Sequence, residues 1–427
     1  MALQCADPPP SRINYVRTLD GWRALSVMAV IYYHCLHNGV EPGSIWSRLA
    51  VRANVGVDIF FAISGFLICG RLLEELRETK TISLGNFYLR RCFRIFPAVW
   101  VYLGALAILK TFGWMTTGGW EFGSTLLFVR NYFPLFHKEV LGTYTAQFWS
   151  LAVEEHFYLL CPVTMLLVGP SIRRIRWAAL ILALAVFLWR TIDAAHGWLL
   201  PFGVDVNTKS DTRIDGLLWG CLAATIYPLL QTHLKSVALC RKLWLPIGLL
   251  AAAVMFFSNA PGGSLMKVVL FPALIMSTAI APESVAGRFL ELPALKWTGK
   301  LSYGIYVWQQ LAIFPIGLLN SPVRYMQHFP FNIVVIFALA AGSYYLVERP
   351  MLRLGQKLTD KTKRQHSDST ASATRINRPG DGGSTLLHQF TSYMVYRGKS
   401  KCPENQNVAL SLTPELKNHA LRVTDAN

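Results

Sequence analysis

The apolar residues of the chain fall into blocks of about 16 to 22 residues, separated by short polar stretches. A block of this length with few charges is typical of a helix that crosses the hydrocarbon core of a membrane. The predicted fold class is therefore all-α, a polytopic transmembrane helical bundle of about ten spans. The spans cover residues 20–38, 55–74, 94–112, 149–168, 176–195, 212–230, 243–258, 265–281, 301–319 and 331–349. Within the second span, Gly65 and Gly70 are expected to let neighbouring helices pack closely.

The same pattern divides the chain into three parts. Residues 1–16 are polar and are predicted to be a short cytosolic segment, and residues 17–354 form a single transmembrane domain. Residues 355–427 are rich in Lys, Ser, Thr, Asp, Asn and Gly, which is typical of a disordered extension. The longest loop, residues 113–148, is rich in Gly, Trp and Phe and is expected to cover the bundle as a cap or re-entrant segment.

Composition and charge agree with a membrane protein. The chain is 53% hydrophobic and only 15% charged, whereas about a quarter of the residues of a soluble domain are charged. A formal net charge of +17 would suggest a nucleic-acid partner for a soluble protein. The Lys and Arg residues cluster in alternate loops, however, as they do on the cytosolic side of membrane proteins. This bias places both termini in the cytosol and makes the lipid bilayer, not nucleic acid, the predicted partner.

The first predicted span contains an arginine near its start, Arg23, and a histidine near its end, His34. Ten residues separate them, so they lie about 16 Å apart along a helix. Ionisable groups within a span are costly and usually mark function. In the predicted orientation, Arg23 lies near the cytosol and His34 near the outer face.

Acidic side chains of three other spans are expected at the depth of His34. They are Asp58 in the second span, Glu154 in the fourth and Asp215 in the sixth, where Arg213 adds a cation. A histidine beside a carboxylate is the minimum for general-base catalysis, because the carboxylate fixes the tautomer and stabilises the imidazolium. The alternative for His34 is a hydrogen-bonded histidine between helices with no catalytic role.

A second basic group lies where the third span begins, in the stretch NFYLRRCFRIFPAVW. Arg91 and Arg94 are three residues apart and therefore lie on one face of a helix. Such a pair suits the phosphates of a ligand on the cytosolic side. Composition alone favours the simpler alternative, in which these arginines only anchor the cytosolic end of a helix.

Seven stretches together resemble the acyltransferase-3 family of integral membrane O-acyltransferases. The resemblance covers residues 14–352 and rests on LDGWRALSVMAVIYYH, GVDIFFAISGFLI, FYLRRCFRIFPAVW, FWSLAVEEHFYL, DTRIDGLLWG, LSYGIYVWQQ and LVERP, in this order. Members of the family often have a histidine directly after the stretch that resembles SYGIYVW, where this chain has Gln309 and Gln310. Either that histidine is not catalytic or the chemistry of the acceptor differs.

The resemblance implies transfer of an acyl group, most often acetyl, from cytosolic acyl-CoA to a hydroxyl of a cell-envelope saccharide or lipid-linked acceptor. It implies a multi-pass protein of the bacterial inner membrane that uses acetyl-CoA, or another acyl-CoA, and no metal. It marks Arg23 and His34 as essential and supports Glu154 as part of the site. It marks Arg91 and Arg94 as contacts for the CoA phosphates.

These implications lead to a mechanism in which His34, oriented by Asp58 or Glu154, takes a proton from the acceptor hydroxyl or takes the acyl group itself. Asp211, Arg213 and Asp215, at the start of the sixth span, are assigned to binding of the acceptor.

Two other classes stay open at this point. A secondary transporter or flippase of an anionic or saccharide substrate would also bury His, Arg and acidic residues near the midplane of the membrane, although the sequence shows no inverted repeat. A membrane scaffold that kept the fold without the activity is the other class. Exchange or hydrolysis of acetyl-CoA without an ion gradient would separate an enzyme from a transporter.

Overall fold

A computed structural model describes residues 16–35, 44–115, 118–135, 143–257, 261–313 and 322–360 of the chain. Within these ranges the regular structure is helical and no strand is present, which confirms the all-α class. The predicted cytosolic segment up to residue 15 and the predicted tail beyond residue 360 lie outside the described residues.

The helices follow one another with short connections. The α-helices are α1 (Thr18–Cys35), α2 (Ile45–Arg52), α3 (Val55–Thr79), α4 (Leu84–Thr111), α5 (Gly119–Leu126), α6 (Phe148–Val168), α7 (Ile172–His196), α8 (Ser210–Arg213), α9 (Asp215–Thr232), α10 (Leu234–Phe257), α11 (Pro261–Ile280), α12 (Val285–Leu290), α13 (Pro293–Ile313) and α14 (Phe331–Ser343). A π-helical turn, Tyr344–Glu348, follows α14, and the helix then continues to Asp360. Short 3₁₀ turns lie at Arg130–Leu135, Thr143–Thr145, Leu200–Phe202 and Pro322–Gln327.

Seven helical segments in the described part of the chain are long and apolar enough to cross a membrane. They are Ile45–Thr79, Leu84–Thr111, Phe148–Val168, Ile172–His196, Ser210–Thr232, Leu234–Val254 and Phe331–Asp360. These segments confirm a polytopic membrane bundle, while the total of ten spans and the cytosolic termini stay predictions. Helix α1 is not among the seven, because Asp20, Arg23 and His34 lower the mean hydropathy of its 18 residues.

Helix α3 packs along α9 and also contacts α1, α6 and α11. At Gly65 the backbones of α3 and α9 approach so closely that an added Cβ atom would overlap the carbonyl oxygen of Leu217. This confirms the prediction that Gly65 permits close packing. Helix α1 packs along α13 in the same way, with Gly299 against the carbonyl oxygen of Asp20. Close backbone contacts therefore fix two pairs of helices, and α1, α3 and α9 contain candidate site residues.

Helix α4 begins at Leu84, earlier than the predicted third span. It contains 28 residues and is about 42 Å long, which exceeds the ~30 Å thickness of a hydrocarbon core. Arg91 and Arg94 therefore lie about two turns inside the helix rather than at its first turn. This position lets their side chains reach the interior of the bundle.

The described part of the predicted cap, residues 113–148, consists of α5 and two 3₁₀ turns. Arg130 is buried and donates from Nε to the Oγ1 atom of Thr145 at 2.9 Å, and its guanidinium carbon lies 4.5 Å from the ring centre of Phe133. Asn131 donates to the Oγ atom of Ser210 at 2.8 Å. The segment thus packs onto α6 and the start of α8, as expected of a cap.

Candidate active site

A cavity of about 270 Å³ lies among α1, α3, α4, α6 and α13. Four of the predicted site residues line it, namely Arg23, Arg91, Arg94 and Glu154. They come from three helices that are far apart in the sequence. The fold therefore brings these four side chains together, while their catalytic and binding roles stay predictions.

The cavity follows one face of α3. The residues of this helix that line it recur every three or four positions and include Val57, Phe60, Ser64, Leu67 and Arg71. From Val57 to Arg71 the helix rises by about 21 Å, which is roughly two thirds of the hydrocarbon core. The cavity is therefore a passage along the bundle and not a shallow depression of its surface.

A second cavity, of about 180 Å³, adjoins the first. Arg71, Arg91 and Arg94 line both cavities. The second cavity reaches Glu75 on α3 and the helix that continues α14. Together the two cavities follow α3 from Val57 to Glu75, a rise of about 27 Å. This distance is close to the ~30 Å thickness of a hydrocarbon core.

Aromatic and acidic neighbours position the arginines of the first cavity. The guanidinium carbon of Arg91 lies 4.7 Å from the ring centre of Tyr158 and 5.9 Å from that of Phe87, within the range of a cation–π interaction. Arg23 forms an ion pair with Asp20 at 3.6 Å. A cation–π contact uses the face of the guanidinium and leaves the N–H groups at its edge for a ligand.

Glu154 lies on the wall of the same cavity. Its Oε1 atom accepts a hydrogen bond from the hydroxyl of Ser64 at 3.3 Å, and its Oε2 atom accepts one from the hydroxyl of Tyr158 at 2.8 Å. The sequence pattern predicted that Glu154 lies beside His34. The structure corrects this prediction, because α6 turns the carboxylate toward α3 and toward the ring that supports Arg91.

Asp58 forms an ion pair with Arg213, between Asp58 Oδ1 and Arg213 Nη2. The contact confirms that these two residues lie at one depth. Their side chains are only 14% and 9% exposed, and a buried charge of this kind requires a partner. Asp58 is therefore held by Arg213 and not, as expected from the sequence, by His34. Asp215 pairs with Arg190 at 3.2 Å in the same way.

Asp211 belongs to a different group of contacts, near the end of α7. It accepts hydrogen bonds from the hydroxyl of Tyr132 at 2.9 Å and from Nε1 of Trp189 at 2.7 Å. Burial, together with the negative charge of Asp211, raises the pKa of Tyr132 to about 12, so this phenol stays protonated and keeps donating. Asp211, Arg213 and Asp215 thus have separate partners and do not line the cavity. Their assignment to acceptor binding stays a prediction.

His34 lies against α13. Its Nδ1 atom is 3.4 Å from the Oε1 atom of Gln309, and its ring is edge-on to that of Tyr33 at 5.3 Å between centroids. Gln309 is fully buried and lies about one turn from Tyr306, which lines the first cavity. Within the described part of the chain His34 is not a lining residue. The passage instead reaches Tyr306 on α13, about one turn from Gln309, which contacts His34.

Several residues of the cavity wall were missed by the sequence reasoning: Ser64, Arg71, Ser150, Tyr158 and Tyr306. Ser150 and Tyr306 share a hydrogen bond of 2.5 Å between their hydroxyl oxygens. A signal for Arg71 was present, because it interrupts the apolar run GFLICGRLL. The excess of positive charge on the cytosolic side also explains this arginine, so the sequence pattern did not mark it as a site residue. Among the described residues, no group of three or more His, Cys, Asp or Glu side chains could hold a metal ion.

The fold and the cavities together define a multi-pass helical membrane protein with an arginine-lined passage through its bundle. A family model described as an acyltransferase domain matches residues 16–348, and this range contains α1 to α14 and the π-helical turn. The chain belongs to this family, the acyltransferase-3 family, and is a multi-pass bacterial membrane protein.

Three relatives show what this chain is similar to. It is 30% identical over 376 residues to a candidate peptidoglycan O-acetyltransferase of Bacillus subtilis strain 168, a match that covers 80% of this chain and 56% of the relative. It is 28% identical over 372 residues to the peptidoglycan O-acetyltransferase OatA of Listeria monocytogenes, with the same coverage of 80% and 56%. It is 27% identical over 377 residues to a candidate O-acetyltransferase of Staphylococcus aureus strain COL, covering 81% and 59%.

The chain spans little more than half the length of these relatives. No solved structure matches the chain significantly.

Proposed function

We propose that this chain is a membrane O-acetyltransferase that moves an acetyl group from acetyl-CoA to a hydroxyl of a cell-envelope saccharide. The family and the relatives support the class of reaction. The observation that carries the proposal is the passage along α3, which runs from Arg91 and Arg94 to the turn of α13 beside Gln309. A donor and an acceptor on opposite sides of the membrane can meet through such a passage.

The donor enters at the end of the passage that contains the arginines. Acetyl-CoA fits this end, because Arg91 and Arg94 are strong donors for phosphate oxygens and line a cavity continuous with the bundle interior. Bound acetyl-CoA supplies a thioester whose carbonyl carbon is open to attack by a hydroxyl oxygen. Arg91 and Arg94 hold the phosphates, so the acyl-bearing arm extends along α3 toward α13.

Arg23 acts on the donor and not on the reacting carbonyl. It lies about 16 Å below His34 along α1, so the two side chains do not touch the same atom. It lines the cavity with Arg91 and Arg94 and is paired with Asp20. Its charge therefore stabilises the anionic donor in the passage. Glu154 balances part of this positive charge and holds Tyr158 in place beneath Arg91.

At the other end His34 acts as the general base. The contact with Gln309 keeps the hydrogen of the imidazole on Nδ1, so Nε2 accepts the proton of the acceptor hydroxyl. The hydroxyl oxygen then forms a bond with the acetyl carbonyl carbon, and the bond between that carbon and sulfur breaks. The thiolate of CoA leaves and takes the proton from the imidazolium, so His34 ends neutral, as it began.

The acceptor approaches from the outer side of the membrane. Asp58 holds Arg213 in place. We assign contact with the saccharide to Arg213, Asp211 and Asp215. Carboxylate and guanidinium groups are suited to this role, because they exchange hydrogen bonds with sugar hydroxyls.

Membrane vesicles supplied with radiolabelled acetyl-CoA and an envelope saccharide test the proposal. The wild type should transfer the label, and His34→Ala should abolish transfer. Replacing both Arg91 and Arg94 by Gln should raise the KM for acetyl-CoA by roughly tenfold or more, because each loses a charge-assisted contact. Arg174→Gln, in an exposed turn on another helix, is the matched control and should leave KM unchanged.

Full transfer by the His34→Ala variant would remove the catalytic role of the histidine. Failure of the wild type to use acetyl-CoA would reject the donor. Saccharide movement across sealed vesicles without any transfer of label would favour the transporter class instead.

A further inference from the structure

Arg71 lines both cavities and stands at the point where they meet. In the described part of the chain, none of the carboxylates lies within ion-pair distance of Arg71. The charges that act on it most strongly are those of four other arginines, Arg91, Arg94, Arg23 and Arg90. A cation surrounded by cations is unfavourable unless an anion joins them.

The arginines around Arg71 differ in whether they form an ion pair with a carboxylate. Arg90 pairs with Glu75 and Arg23 pairs with Asp20, each at 3.6 Å. Among the described residues, no such ion pair is formed by Arg71, Arg91 or Arg94. The three arginines without an ion pair are also the three that line both cavities. The excess positive charge is therefore concentrated at the junction of the cavities.

Apart from Arg91 and Arg94, the residues that line the second cavity have no role in the proposed acetyl transfer. One wall is formed by α3 and α4, and the other by Leu352, Gly355 and Gln356 of the helix that continues α14. Gly355 lies so close to Phe93 that a Cβ atom added to the glycine would be 2.8 Å from the Cβ atom of Phe93. This wall is therefore held firmly against α4, and the cavity has a defined width.

We propose that the second cavity receives the phosphate-bearing nucleotide end of the acyl donor, and that Arg71 is a third phosphate-binding residue beside Arg91 and Arg94. The proposal rests on the proposed function and assigns its donor site. Three unpaired arginines match a donor that has a diphosphate and a ribose phosphate. The acyl-bearing arm passes Arg71 and continues into the first cavity along α3.

Titration calorimetry that measures binding of CoA to the purified full chain tests the role of Arg71. Arg71→Gln should raise the Kd for CoA by roughly tenfold or more, because a charge-assisted contact is lost. The same titration with dephospho-CoA, which lacks the ribose phosphate, shows which phosphate Arg71 binds. If Arg71 binds the ribose phosphate, the difference in Kd between wild type and Arg71→Gln should shrink. If Arg71 binds the diphosphate, that difference should stay unchanged. Arg77→Gln, also exposed on α3 but lining neither cavity, should bind CoA like the wild type.

A second pair of variants tests the cavity without removing any charge from it. Gln356→Trp should fill the space and weaken binding of both CoA and adenosine 3′,5′-bisphosphate. Lys357→Trp places the same ring at the next position, which does not line the cavity, and should bind both ligands like the wild type. Equal thermal unfolding of the two tryptophan variants shows that the fold is kept.

The outcomes separate this proposal from the proposed function. If the wild type binds CoA but Arg71→Gln and Gln356→Trp bind it equally well, the nucleotide lies elsewhere and only this proposal fails. If the wild type does not bind CoA, the donor of the proposed function fails as well. If Arg71→Gln does not fold, the Gln356→Trp result alone supports or overturns the site.

Discussion

His34 and Gln309 join α1 to α13 near the end of the passage opposite the arginines, with 3.4 Å between Nδ1 of the histidine and Oε1 of the glutamine. An amide oxygen only accepts hydrogen bonds, so a hydrogen bond in this contact is donated by Nδ1, and the tautomer that donates it keeps a lone pair on Nε2. The Nε2 atom of Gln309 is buried, and its two N–H groups have no partner within the described residues. In the proposed mechanism Gln309 positions His34, a role that the sequence pattern assigned to a carboxylate.

Replacing Gln309 by Ala should lower kcat by about tenfold and leave the KM for acetyl-CoA unchanged. The physical reason is that the variant loses the tautomer control at His34, while the donor is bound at the other end of the passage. Steady-state kinetics with acetyl-CoA would measure both constants, and the pH dependence of kcat should also change. Gln309→Glu should restore activity, because a carboxylate accepts the same hydrogen bond.

Gln310 is the matched control for that experiment. It is the next residue of α13, is 2% exposed and also has an amide atom without a partner among the described residues. Gln310→Ala removes the same volume from the same helix but keeps the contact between His34 and Gln309. This variant should therefore retain kcat. Equal losses in the two alanine variants would show that packing of α13, and not the contact with His34, explains the effect.

The sequence was sufficient to find most of the charged residues of the cavity. Arg23 and Glu154 interrupt apolar spans, and an ionisable residue in a span has few explanations other than function or pairing. Arg91 and Arg94 lie where a predicted span begins, and their spacing of three residues indicated that they share one helix face. Their depth was harder to predict. Counting residues along straight spans put Glu154 level with His34, whereas the structure joins Glu154 to Ser64 in the arginine-lined cavity.

The partners of the buried charges could not be predicted from a single sequence. Asp58 and Arg213 are 155 residues apart, and their contact depends on the close packing of α3 and α9. The same packing leaves Asp58 unavailable as the partner of His34. Arg71 was overlooked for a different reason: one arginine near the inner end of a span is fully explained by the orientation rule, and only the cavities show that it faces the passage.

Tyr158 should affect donor binding through its ring and not through its hydroxyl. The ring centre lies 4.7 Å from the guanidinium carbon of Arg91, and a buried cation–π contact contributes about 2 kcal/mol. Tyr158→Ala should therefore raise the KM for acetyl-CoA, roughly as much as Arg91→Gln does. Tyr158→Phe keeps the ring and loses only the hydrogen bond to Glu154, so its KM should stay near that of the wild type. A large rise in the Tyr158→Phe variant would show that Glu154 acts on the donor through this hydroxyl.

The ion pair between Asp58 and Arg213 should be needed for stability. Asp58→Leu or Arg213→Met alone should lower the free energy of unfolding by about 3–5 kcal/mol, because each leaves an uncompensated buried charge. The double variant should recover most of this loss. Thermal unfolding in detergent would measure all three variants. Arg241→Ala, which breaks an ion pair with Glu283 whose side chains are 58% and 46% exposed, should cost less than about 1 kcal/mol.

Activity of the double variant then separates two roles of Arg213. If Arg213 also binds the acceptor, the stable double variant should show a raised KM for the saccharide and an unchanged KM for acetyl-CoA. A double variant with normal kinetics for both substrates would limit the pair to a structural role.

Gly65 of α3 should not tolerate a side chain. A Cβ atom at this position would overlap the carbonyl oxygen of Leu217, and a backbone atom cannot move aside as a flexible side chain can. Gly65→Ala should therefore separate α3 from α9 and lower the free energy of unfolding by about 1–3 kcal/mol. Because α3 forms one face of the passage, the variant should also lose activity with both substrates.

Gly104→Ala on α4 adds the same methyl group where nothing lies within 4 Å, and it should keep the stability and activity of the wild type. Unfolding in detergent and transfer assays on both variants would check this, and equal behaviour of the two would mean that α3 and α9 are not held by their backbones at Gly65.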